Sequence, residues 1–202
     1  MILRGLTNTL RMGALDLKHE RSYGIDTGKF KRSDDSEYFH YQGAGYGITL
    51  KIFTDLVKGR ENYHFIDIGS GKGRALIVAE SCGFNKLTGI ELHQDLVKSA
   101  EENLLRYQRR RNTSQVVFIQ QNALHFNYHN EPAVYFMFNP FGENVLRQVL
   151  IKILQNTKSE TFFIYMNPRF AKVFAELGIK KDRIYKTRFY TEAIIYRLPA
   201  EN

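Results

Sequence analysis

A chain of 202 residues, 43% hydrophobic and 13% aromatic, can bury one sizeable core and needs no more than one domain. Its single cysteine, Cys82, excludes an internal disulfide, and the six histidines at 19, 40, 64, 93, 125 and 129 form no HExxH-type pair, so a reducing, cytoplasmic setting without a metal centre is expected. The net charge of +8 points to an acidic or phosphate-bearing partner and carries no information about the fold.

No apolar run approaches the ~18 residues of a membrane span, and no cleavable leader pattern follows the start. In MILRGLTNTLRMGALDLK, residues Ile2, Leu3, Leu6, Leu10, Ala14 and Leu17 fall near helical spacing with Arg4, Arg11 and Lys18 between them. An amphipathic cover helix fits, and a transit peptide or membrane-surface helix shares the pattern. Residues 1–45 are otherwise polar and weakly periodic, an N-terminal extension that covers cofactor or substrate. Regular alternation fills 46–202. The run YGITLKIFTDLVKGR (46–60) puts Ile48, Ile52, Phe53, Leu56 and Val57 on one helical face.

Strand-like runs follow at Tyr63–Ile68, Lys86–Leu92, Gln115–Gln121, Ala133–Asn139 and Thr161–Asn167. Helical patterns fill the gaps at Arg74–Cys82, His93–Arg110, Asn144–Gln155 and Arg169–Leu177. The triplet Arg109-Arg110-Arg111 falls where a helix should end, where cations complement the helix dipole or meet a nucleic acid. Strand-helix alternation implies an α/β fold, a parallel sheet with helices on both faces. The tail departs from it, because DRIYKTRFY and EAIIYRL are joined too closely for a crossover and must pair as an antiparallel hairpin.

The chemistry concentrates in FIDIGSGKGRALIVAE. A buried strand runs into Gly69-Ser70-Gly71-Lys72-Gly73 and directly into a helix. Glycines there allow left-handed backbone and close approach of a ligand, and the helix start offers N–H groups. Arg74 stands where a dinucleotide fingerprint would have its third glycine, and no phosphate P-loop pattern is present. Asp67, at the strand end, would repel a pyrophosphate and attract an ammonium group, so the ligand is expected to be zwitterionic. Glu91 ends the next strand, where a carboxylate can accept from ribose hydroxyls.

At Asp67, Gly69, Gly71, Gly73, Glu91 and the terminal hairpin the sequence resembles the class I S-adenosylmethionine-dependent methyltransferases. The resemblance implies a Rossmann-like, mostly parallel seven-stranded sheet of order 3-2-1-4-5-7-6 with the last strand antiparallel. It implies a cofactor site in which the glycine turn, Ser70 included, holds the methionine moiety, Asp67 lies near its amino end and Glu91 binds the ribose. At the third strand's end, Asn122-Ala123 stands where the family often has an acid for the adenine. Asn122 can use its side-chain oxygen there or simply form a turn. The segment HYQGAGYG (40–47) is similar to a short flap that some members fold over the cofactor.

The fourth strand ends in Asn139-Pro140-Phe141-Gly142. In the implied order it neighbours the first strand, so these residues would face the glycine turn across one crevice. The stretch resembles the [DNS]-P-P-[YF] motif of amino-methyltransferases, without the second proline. By that resemblance Asn139, beside the cofactor, and the Pro140 carbonyl orient an acceptor amine, and Phe141 offers a ring face. The function expected is methylation of nitrogen on a macromolecule, protein lysine slightly ahead of RNA, with S-adenosylhomocysteine as product. A catalytically idle cofactor-binding subunit and a small-molecule methyltransferase are the alternatives. A nicotinamide oxidoreductase fits neither the glycine spacing nor the hairpin.

Overall fold

The computed structural model describes residues 16–28, 43–108, 115–187 and 191–200. A helix covers 16–23 (α1), followed by α2 (Tyr46–Val57), β1 (His64–Ile68), α3 (Arg74–Cys82), β2 (Lys86–Glu91), α4 (Gln94–Gln108), β3 (Gln115–Gln120), a 3-10 turn at Ala123–His125, β4 (Ala133–Phe138), α5 (Glu143–Asn156), β5 (Thr161–Met166), α6 (Ala171–Glu176), β6 (Lys180–Lys186) and β7 (Thr191–Leu198). The strands form one sheet of order β3-β2-β1-β4-β5-β7-β6. β7 runs antiparallel to both β5 and β6, and the pairings from β3 to β5 are parallel. The expected fold class and strand order are both observed.

Period-two alternation divides the central strands between two cores. Phe65, Val134, Phe136, Phe162, Ile164 and Ile195 face α2 and α3. Ile66, Tyr135, Met137, Phe163, Tyr165 and Tyr196 join residues of α5 and α6. The long apolar runs of β1, β4 and β5 are what burial on both faces requires. Tyr23 and Ile25, which follow α1, are buried in the first of these cores, so residues 16–28 pack on the sheet's α3 side.

Four strands, β2 to β5, stop one residue before the sequence pattern does, and the last two do so at an asparagine. Asn139 and Asn167 take positive φ, 44° and 46°, and each precedes a proline. Asn tolerates left-handed backbone better than other residues with a Cβ. The register pairs Phe138 with Met166, so the two Asn-Pro turns lie side by side at the carboxyl rim of the sheet. Helix α2 stops at Val57 instead of running to residue 60, and Gly59 beyond it has φ 73°. The Arg109-Arg110-Arg111 run, residues 1–15 and residues 40–42 of the possible flap lie outside the described residues.

Candidate functional site

The glycine turn bridges β1 and α3 with positive φ at Gly69, Gly71 and Gly73. A Cβ on Gly69 would stand 2.8 Å from the Pro140 Cβ, and one on Gly73 would stand 2.7 Å from the Phe118 ring. Only glycine satisfies both the backbone angle and the space at these positions. The turn is tied to β2, because the N–H groups of Gly69 and Ser70 donate to the Ile90 carbonyl at 2.9 and 3.0 Å. No side chain caps the first turn of α3, which leaves an electropositive helix start beside the turn.

Two carboxylates frame this turn in different ways. Glu91 is 7% exposed; its Oε2 accepts from Gly71 N at 2.9 Å and its Oε1 from His93 N at 3.0 Å. Those bonds fix the carboxylate's orientation, and a carboxylate has lone pairs left for hydroxyl donors. Asp67 is 3% exposed and has no hydrogen bond or ion pair among the described residues. Burial, reinforced by the nearby Glu91 charge, pushes its pKa well above the ordinary carboxylate range. The Ser70 hydroxyl is a second buried group without a partner. It packs against Gly89 with Leu76 and Phe118. Buried polar groups are normally satisfied, so the orphan Asp67 carboxyl at the glycine turn marks where a polar ligand would complete the site.

Across from the turn lies the end of β4. The close approach of Pro140 to Gly69 brings the Asn139-Pro140 pair against the glycine turn, as the sheet order anticipated. Asn139 is 5% exposed, and its Oδ1 accepts from the Tyr165 hydroxyl at 2.7 Å. Phe141 is buried in the second core together with Ile68, Met137 and Leu146, so its ring serves packing and presents no open face. At the end of β3, Asn122 accepts from Leu124 N at 2.9 Å and caps the 3-10 turn. The Ala123 carbonyl beside it accepts from Tyr128 Oη at 2.9 Å. The turn-forming use of Asn122 is thus present in the fold. Among the described residues no cluster of His, Cys, Asp and Glu is arranged to hold a metal ion, and no helix is long and apolar enough to cross a membrane.

No protein-family model matches the chain, and no curated protein matches it by sequence. Solved structures do. The magnesium protoporphyrin IX methyltransferase of Synechocystis PCC 6803 with bound SAM aligns over 75% of this chain and 77% of its own, at 15% identity and TM-score 0.57. The ribosomal protein L11 methylase of Lactobacillus delbrueckii subsp. bulgaricus aligns over 78% and 79%, at 12% identity and TM-score 0.57. The RNA methyltransferase of Salinibacter ruber in complex with S-adenosyl-L-homocysteine aligns over 77% and 93%, at 20% identity and TM-score 0.54. The chain has the class I methyltransferase fold. The β7 strand inserted between β5 and β6 belongs to that methyltransferase fold, and the crevice between the ends of β1 and β4 is its topological switch point.

Three residues of this rim have roles the sequence reading passed over. Arg74, noted only for displacing a glycine, is 6% exposed. It donates to Asp16 Oδ2 at 3.0 Å, the Ala44 carbonyl at 3.0 Å, Glu20 Oε1 at 2.9 Å and Thr27 Oγ1 at 2.6 Å. Its guanidinium also lies 4.6 Å from the Tyr46 ring centre. Asp16 and Glu20 are one helical turn apart, and a lone Arg in an apolar helix was the signal that acids must come to it. Tyr165 and Asn167 were legible only as parts of a strand, although MNPRF repeats the FNPF pattern at the end of the neighbouring strand.

Proposed function

We propose that the protein is an S-adenosylmethionine-dependent methyltransferase acting on nitrogen of a macromolecular acceptor, releasing S-adenosylhomocysteine. The observation that carries this reading is Asp67, a buried carboxyl without a partner, set at a glycine turn whose helix start is electropositive. An ammonium beside Asp67 and a carboxylate near the start of α3 would satisfy both, and the methionine part of the cofactor carries both groups. Glu91 would then accept from ribose hydroxyls and Asn122-Ala123 would border the base, while Ser70 contributes through the backbone of the turn, its N–H bonded to the Ile90 carbonyl. When bound, the cofactor supplies an activated methyl group, so the chain needs no nucleophile of its own. Asn139 and Pro140 flank the glycine turn and would hold the acceptor in line, an effect worth up to ~7–11 kcal/mol of barrier when alignment is complete. The acceptor can be protein lysine, slightly favoured by the sequence, or RNA.

S-Adenosylhomocysteine should stabilise the protein by about 2.7 kcal/mol at a hundredfold excess over its dissociation constant, read as a rise in melting temperature, and NAD should leave the melt unchanged. A shift with NAD and none with S-adenosylhomocysteine would overturn the reading. Labelled methyl transfer into an extract of cells lacking the protein then identifies the acceptor band, and an enzyme that binds but never transfers would be the idle subunit.

A further inference from the structure

Tyr165 lies in β5 with 0% exposure, its ring 5.4 Å from that of Phe174. Its oxygen is the middle of a short relay. Phe170 N–H donates to it at 3.4 Å, and its own hydroxyl donates to Asn139 Oδ1 at 2.7 Å. The direction of the relay follows from burial. The hydroxyl oxygen can accept twice, but its one proton needs an acceptor, and among the described residues the Asn139 oxygen is the acceptor it reaches; the reversed amide would leave a buried O–H unsatisfied. Burial raises the Tyr165 pKa far above its ordinary value, so the hydroxyl keeps its proton at any working pH. The left-handed backbone of Asn139, φ 44°, held by the following proline against Gly69, allows the side chain little freedom to seek another arrangement.

Resting on the methyltransferase reading above, we infer that Tyr165 is a positioning residue that fixes the polarity of the Asn139 amide, leaving its nitrogen as the end offered to a ligand. The Asn139 nitrogen has no partner among the described residues. What it meets is therefore a hydrogen-bond acceptor, a carbonyl oxygen or a ring nitrogen next to the atom that is methylated. A lysine amine, whose lone pair must point at the methyl group, has only hydrogens left to show and does not match a donor, so of the two acceptors named above the inference selects RNA against the protein lysine that the sequence slightly favoured.

Asn139→Asp tests the polarity. It keeps an acceptor for Tyr165 and replaces the offered N–H group with an oxygen. The expected result is a folded protein with S-adenosylhomocysteine affinity within a few-fold of the parent and methyl transfer into extract lowered by about a hundredfold, because an acceptor then faces an acceptor. Transfer within about threefold of the parent would overturn the inference, since the oxygen would then be the end that serves the ligand. Tyr165→Phe should lower transfer by about tenfold, the worth of one neutral hydrogen bond, and should cause no further loss in the Asn139→Asp background. A Tyr165 that acted only through packing would lower transfer equally in both backgrounds, which would also overturn it. If the parent protein neither binds S-adenosylhomocysteine nor transfers methyl, the methyltransferase reading fails instead. That failure is seen before either variant is made.

Discussion

Asp67 sets stability against binding. Its folded-state pKa is raised above the unfolded value by burial and by Glu91. The stabilisation that comes from holding its proton is therefore complete below the ordinary carboxylate range and is lost as pH rises through the folded value. At neutral pH the ligand-free protein carries a buried acid with no partner, so Asp67→Asn should raise the melting temperature of the free protein and remove the shift given by S-adenosylhomocysteine. An ammonium ligand favours the ionised carboxylate, so its binding should release a proton and tighten with pH, seen by calorimetry in two buffers of different ionisation enthalpy. Asp67 and Gly69 to Gly73 were legible because strand end, turn and helix start are contiguous in sequence. The bonding of Asn139 was not, because Tyr165 lies 26 residues away and no local pattern tells a relay tyrosine from a core tyrosine. Phe141 misled for a related reason: an aromatic at a rim can turn inward, and only the packed core shows that it does.

At the scale of elements, α1 with the segment to residue 28 is a strap fastened to α3 by Arg74 and by the hydroxyl pair of Tyr23 and Ser81, 3.1 Å apart. Arg74 also has Gly43 close by, where a Cβ would come within 2.6 Å of its Cζ. Asn103 of α4 adds a further fastening, donating to the carbonyls of Asp26 and Lys72 and accepting from Asp26 N. Arg74→Met leaves Asp16 and Glu20 without their cation. We expect a loss of about 2–3 kcal/mol in urea denaturation, below the ~3–5 of a fully buried pair because the Asp16 side chain stays 33% exposed. Early proteolytic cleavage within residues 16–28 should accompany it. Arg74→Lys should recover only part of the loss, since one ammonium cannot replace a fork that bonds four oxygens. The strap joins the glycine turn's helix, so both variants should also weaken S-adenosylhomocysteine. Strand-helix alternation made most of the elements readable from periodicity, whereas this fastening joins segments 47 to 58 residues apart and leaves no periodic trace.

Across the whole molecule the two rims of the sheet differ. The carboxyl rim holds the unpartnered Asp67, and the opposite rim is dense in charged hydrogen bonds, although among the described residues the Arg60 Nε there is buried without a partner. There, His64 meets Glu131 and Thr88 at 2.8 Å each, Lys86 meets Glu131 at 2.6 Å, and Arg197 and Tyr63 both bond Glu160. Burial lowers the His64 pKa despite Glu131. The unfolded chain therefore takes up that proton first, and stability is lost as pH falls from about 6.5 through the folded value. Asp67 slopes the other way, so melting temperature against pH should be flatter in the parent than in Asp67→Asn, and the gap between the curves should widen as pH rises from about 4. The parallel runs and the closing hairpin were legible from pattern, whereas the strand order came only through the resemblance to the methyltransferases; the pairing of β7 with both β5 and β6 leaves β6 at the edge of the sheet. Lys180, Lys181, Arg183 and Lys186 crowd that strand. Some of the chain's positive charge thus sits on an edge strand, where like charges disfavour pairing of one copy's edge with another's, whatever the finished protein binds.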